Sequence, residues 1–121
     1  MACQTLKSIK LDPTASGETW DGLTFSIDSS DDTKFAAALS RVRMTWRNTS
    51  GQTLLTLDSN TAGHITITTA TAYAWAFTVE PRALNLAAGM YSWAIEVTDA
   101  DGVVDKDFVT GSHQILSDPH I

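Results

Sequence analysis

Between Gly89 and Asp99, in "GMYSWAIEVTD", large apolar side chains fall on every second residue. Tyr91, Trp93, Ile95 and Val97 therefore share one face of an extended chain, and Ser92, Ala94, Glu96 and Thr98 share the other. A period of two, in residues that favour a pleated surface, predicts a half-buried strand with its aromatic rings turned into a core. The pattern recurs along the chain. "LSRVRMTWR" sets Val42, Met44 and Trp46 against Arg41, Arg43 and Arg47. "TWDGLTFSID" places Leu23, Phe25 and Ile27 on one face behind an Asp21-Gly22 bend, and "HITITT" aligns Ile65 with Ile67. "TAYAWAFTV" turns Tyr73, Trp75, Phe77 and Val79 inward and its alanines outward, a small-residue face suited to lie against another subunit. "TLKSIKL" adds an alternating segment that ends at Pro13.

The segments between these strands carry turn chemistry. "NTSG" joins "LSRVRMTWR" to "QTLLTL" as a tight hairpin, and Asp101-Gly102 marks another turn. "SSDDTK" reads as a polar loop. Pro81 ends a strand, "RALNLAA" is expected to form a short helical turn or an irregular crossover, and "VDKDFVTGSHQIL" supplies one or two further strands. Roughly seven to nine short strands at these spacings predict one all-β sandwich domain over residues 1–121. The spacing Leu86-x-x-Gly89-x-Tyr91-x-Trp93 resembles the tyrosine corner of immunoglobulin-like sandwiches, which implies an immunoglobulin-like antiparallel fold. Trp93 stands where antibody domains carry a cysteine. Cys3 is the single cysteine, so no internal disulfide is available and the packing of Trp46 and Trp93 must hold the sheets together, at roughly 2–3 kcal/mol of burial each.

Charge narrows the function. A formal net charge of −6 with eight Lys and Arg argues against a nucleic-acid partner. No apolar run is long enough to span a membrane and the N-terminus lacks a signal peptide's apolar stretch, so no membrane partner and synthesis in the cytoplasm are expected. Arg41, Arg43 and Arg47 line the outer face of one strand, either as a solvated face or as a candidate docking patch for an acidic partner. Asp99, Asp101, Asp105 and Asp107 invite a calcium reading, but Asp101-Gly102 is turn chemistry and the later pair lies along the outgoing strand, so no metal is expected. Asp28, Asp31 and Asp32 read as a solvated loop. His64, His113 and His120 lack metal-ligand spacing, and neither a nucleophile elbow nor a phosphate loop is present. No catalytic residue, no cofactor and no enzymatic activity are therefore expected.

The tryptophans divide by parity. Trp46, Trp75 and Trp93, with Tyr91, belong to the core. Trp20 is out of phase with Leu23, Phe25 and Ile27, which makes it either a cap on the end of the sandwich or a candidate exposed aromatic for stacking on a sugar. A carbohydrate-binding module is thus the alternative functional class.

The order "SGETWDGLTFSI", "LSRVRMTWRNTSGQTLLTL" and "GMYSWAIEVTDADGVVDKDFVTGSHQIL" resembles small β-sandwich proteins of tailed bacteriophages and prophages, the immunoglobulin-like N-terminal domains of baseplate and tail-associated proteins. The resemblance implies a non-enzymatic virion structural or assembly protein, a protein–protein interaction module in the tail, baseplate or head-tail region. Its partners would be other phage structural proteins or further copies of itself in a homo-oligomer, and its location the virion or, before assembly, the bacterial cytoplasm.

Overall fold

The computed structural model describes residues 9–28 and 32–117. Cys3, Asp31, His120 and the last four residues of the tail lie outside them. Ten strands follow in order: β1 (Ile9–Ala15), β2 (Thr19–Trp20), β3 (Leu23–Asp28), β4 (Leu39–Arg47), β5 (Thr53–Asp58), β6 (Ile65–Thr71), β7 (Ala74–Val79), β8 (Arg82–Ala83), β9 (Gly89–Asp99) and β10 (Val104–Leu116). One 3-10 turn, Thr33–Phe35, precedes β4. The fold is all-β and mostly antiparallel. A five-stranded sheet runs β1-β10-β9-β4-β5, a three-stranded sheet β3-β7-β6, and the short β2 and β8 pair with each other. Among the described residues only β1, against β10, pairs in parallel.

Alternation explains the layers. In β4 and β9 every inward residue of the repeat, Val42, Met44 and Trp46 on one and Tyr91, Trp93, Ile95 and Val97 on the other, is buried. In register these faces bring Trp46 opposite Trp93 and Met44 opposite Ile95. The three-stranded sheet answers with Trp75, Phe77 and Val79. Phe108 of β10 reaches across to both Phe25 and Trp75, with ring centroids 5.0 and 6.0 Å apart. It can do so because β10 carries extra residues between Asp105 and Val109, where the register shifts. That bulge lets the consecutive Phe108 and Val109 both face the core, which strict alternation forbids.

Two hairpins use the same device. Asn48 Oδ1 accepts hydrogen bonds from the amides of Ser50 and Gln52 at 3.0 and 2.9 Å. Asp99 Oδ1 accepts those of Asp101 and Val103 at 2.9 and 3.0 Å. In each turn a glycine, Gly51 or Gly102, then takes the positive φ that closes a three-residue connection.

Several expectations need correction. β1 does not stop at Pro13 but continues to Ala15 after a register shift between Leu11 and Thr14 that accommodates the proline. "RALNLAA" takes the irregular crossover of its two expected forms, not the helical turn: Arg82–Ala83 pairs with β2, and Leu84 and Leu86 are buried in the irregular stretch that follows. The acidic loop ends in the 3-10 turn, with Phe35 and Asp32 both buried.

At the start of β9, Tyr91 Oη donates to the Ala87 carbonyl at 2.6 Å, bracing the crossover onto the sheet. Tyr91→Phe is expected to lower stability by about 1 kcal/mol, read as a reduced urea midpoint with an unchanged slope.

Candidate functional site

The two ends and the outer faces of the sandwich carry the candidate chemistry. The outer face of β4 holds Arg41, Arg43 and Arg47, but two of these guanidiniums are engaged within the sheet. Arg41 Nε donates to Asp58 Oδ1 at 3.1 Å, and a second nitrogen pairs with Oδ2. Arg43 pairs with Glu96 at 2.9 Å, its cross-strand neighbour on β9. The hydrogen bond from Arg41 holds the Asp58 carboxyl below its ordinary range, and the same bond raises Arg41. The charges largely cancel across strands. Arg47 is exposed, beside Lys106 and Asp107 around a shallow depression.

Trp20, the candidate exposed aromatic, is buried at 6 % exposure. The reason is tertiary: β2 pairs with β8, and the Trp20 ring stands edge-on to Trp46, centroids 5.3 Å and planes 89° apart. A ring held this way is not available to stack on a sugar, so the glycan platform is withdrawn. Trp46, Trp75, Tyr91 and Trp93 are all buried, as is His113.

A second concavity lies where the segment before β4 meets the β9–β10 turn. It is a cleft of about 340 Å³ lined by Thr33, Ala36, Ala37, Trp75, Val97, Asp99, Asp101, Val103 and Asp105. The elements around it are tied together by backbone and indole bonds. Trp75 Nε1 donates to the Ala37 carbonyl at 3.0 Å, the Ala100 amide to Ala38 at 2.8 Å, and the Asp99 amide to Val103 at 3.0 Å. Its floor is apolar, from Trp75, Val97 and two alanines. The rim combines the Asp101 and Asp105 carboxylates with Val103, which is 64 % exposed, next to Val104 at 47 %. Asp99 Oδ1 is committed to the turn amides, and Asp105 Oδ1 accepts the Asp107 amide at 3.3 Å. Among the described residues no group of three or more His, Cys, Asp or Glu is arranged to hold a metal ion. Nor is any helix among them long and apolar enough to cross a membrane. The acids here were legible as a turn. Their apposition to Trp75 and the Ala36–Ala37 segment was not, because it arises from the packing of distant strands.

No family model and no curated protein matches the chain. Among solved structures it is similar to CopC from Methylosinus trichosporium OB3b, at 10 % identity over 93 % of this chain and 90 % of that one, with a TM-score of 0.45. The expected kinship with phage baseplate and tail proteins is therefore corrected, and with it the virion assembly role and the phage partners: no family model or curated protein of that kind matches, and CopC is not a phage component. The motifs that carried the resemblance have an account in folding alone. Gly22 and Gly102 hold positive φ, Asn48 and Asp99 close hairpins, and Tyr91 braces a crossover. A sandwich of any function uses such devices. At this identity and TM-score the likeness assigns no ligand to this chain.

Proposed function

We propose that the chain is a non-catalytic binding domain of immunoglobulin-like topology that takes a basic, partly apolar peptide segment at one end of the sandwich. The topology is supported by the strand order, with β10, β9, β4 and β5 facing β3, β7 and β6, and by the Tyr91 bond to Ala87. The observation that carries the binding site is the cleft before β4, in which an apolar floor of Trp75 and Val97 lies beneath Asp101, Asp105 and the exposed Val103. An aliphatic stem fits such a floor while its cationic head meets the carboxylates, and an overall charge of −6 steers a basic partner toward the domain.

The test is a titration of the 15N-labelled protein with a peptide of alternating lysine and leucine. Shifts are expected to concentrate at Ala36, Ala37, the Trp75 indole and Asp99–Asp105. The double variant Asp101→Asn, Asp105→Asn is expected to bind about tenfold more weakly, the loss of two rim charges at roughly 0.7 kcal/mol each. Shifts spread evenly over the acidic surface, or affinity unchanged in the double variant, would remove the site from consideration.

A further inference from the structure

His113 occupies the core between the five-stranded sheet and the β2–β8 pair and is fully buried. Both ring nitrogens have partners. Trp46 Nε1 lies 3.2 Å from His113 Nδ1, and Thr14 Oγ1 lies 2.9 Å from His113 Nε2. An indole N–H can only donate, so Nδ1 must be the acceptor and carries no proton. The proton of the neutral ring therefore sits on Nε2 and is donated to Thr14, whose hydroxyl in turn points to the Asp12 carbonyl at 3.4 Å. This relay joins β4 through β10 to β1 at one point: the stretch between Leu11 and Thr14 where the β1–β10 register shifts.

We propose that β1 is a releasable strap and that His113 is its proton-operated latch. A second proton on the ring would have to enter at Nδ1, where it faces the Trp46 N–H, donor against donor. The ring must then turn or leave, and either movement abandons Thr14. Among the described residues, none of the ring's hydrogen-bond or ring partners is a carboxylate. From β1 the ring meets Thr14 and the Asp12 backbone. From β2 it meets Trp20, with centroids 6.0 Å apart; from β4, Trp46; and across the register from β9, Tyr91, whose hydroxyl is committed to Ala87. The carboxylate residues Asp12, Glu18 and Asp21 line a separate cleft between β1 and β2. Burial accordingly depresses the His113 basicity, with the Asp12 backbone bond opposing it in part.

The sign follows. With the closed-state value depressed below that of a free histidine, the latch is fully closed above the ordinary histidine range. The closed-to-open ratio falls by up to about tenfold per pH unit below it, until the depressed value is reached.

The experiment follows β1 amide and Trp46 indole resonances of the full chain from pH 8 to pH 5, beside the variant His113→Gln, which offers an acceptor and a donor but no titration. In the wild type the resonances of Leu11, Asp12 and Thr14 are expected to leave their folded positions together with the Trp46 indole, in one transition below about pH 6.5. The variant is expected to hold them throughout. A variant that responds to acid as the wild type does would overturn the latch. If the variant does not fold, ring 15N shifts of the wild-type His113 decide: an Nδ1-protonated neutral tautomer, or a protonated ring with β1 still in place, overturns it. An Nε2-protonated neutral ring whose titration coincides with the loss of the β1 signals supports it.

Discussion

Gly22→Ala is expected to be the most damaging small substitution in the domain, lowering stability by about 3 kcal/mol, the sum of roughly 1–2 for a left-handed L-residue and 1–3 for overpacking. Gly22 turns the chain from β2 into β3 at a φ of 83°. A Cβ built there would lie 2.2 Å from the Val79 carbonyl oxygen and 3.1 Å from the Pro81 nitrogen. Both are backbone atoms of the neighbouring β7–β8 segment, so neither can step aside without disturbing the Leu23–Val79 pairing. Gly17 and Gly51 supply the control, since each has a φ of 82° but open space around its Cβ position. Alanine at either is expected to cost only the conformational part, roughly 1 kcal/mol. Equilibrium urea denaturation of all three variants separates the two effects. Equal losses at the three positions would show that the close approach at Gly22 contributes nothing.

Trp46→Ala ranks with it, at an expected cost of about 3–5 kcal/mol, because a large fully buried side chain is removed from a site that cannot collapse. The ring faces Trp93 across the register, receives the edge of Trp20 and donates to His113. Trp46→Phe keeps a six-membered ring but removes the donor and shrinks the ring system. It leaves Nδ1 of a buried histidine without its partner, and the expected loss is about 1–3 kcal/mol. Urea midpoints for the pair compare loss of the whole side chain with loss of the donor and part of the ring. A loss below about 2 kcal/mol for the alanine variant would mean that the sheets are held together elsewhere.

Parity alone located Trp46, Trp75, Tyr91 and Trp93, because each lies in a strand of regular alternation with one face inward. The two hairpins were equally visible, since Asn48 and Asp99 act on amides only two and four residues away. What escaped was set by contacts remote in sequence. Trp20 is out of phase with Leu23, Phe25 and Ile27 because it belongs to a separate short strand, and it is buried against Trp46. Phe35 follows a polar run, yet packs edge-on against Trp75 at 4.8 Å. Phe108 owes its inward position to a bulge. The pairing of His113 with Thr14 spans 99 residues, and no local pattern announces it. The same limit applies to function: the acids of the β9–β10 turn could be read as a turn, but not as the rim of a cleft.

Sheet edges invite other chains to add strands, and β1 is one edge of the larger sheet. Pro13 offers no amide there, and the shifted register around it leaves an interrupted ladder rather than a continuous template. Beneath it lies β10, long and in unbroken register with β9 from Val109 to Ile115, a far better template were it uncovered. The awkward proline-bearing strand thus guards the molecule against open-ended stacking of one copy on the next. It can do so only while it stays docked, so solubility and strand attachment are bound to the same few side chains.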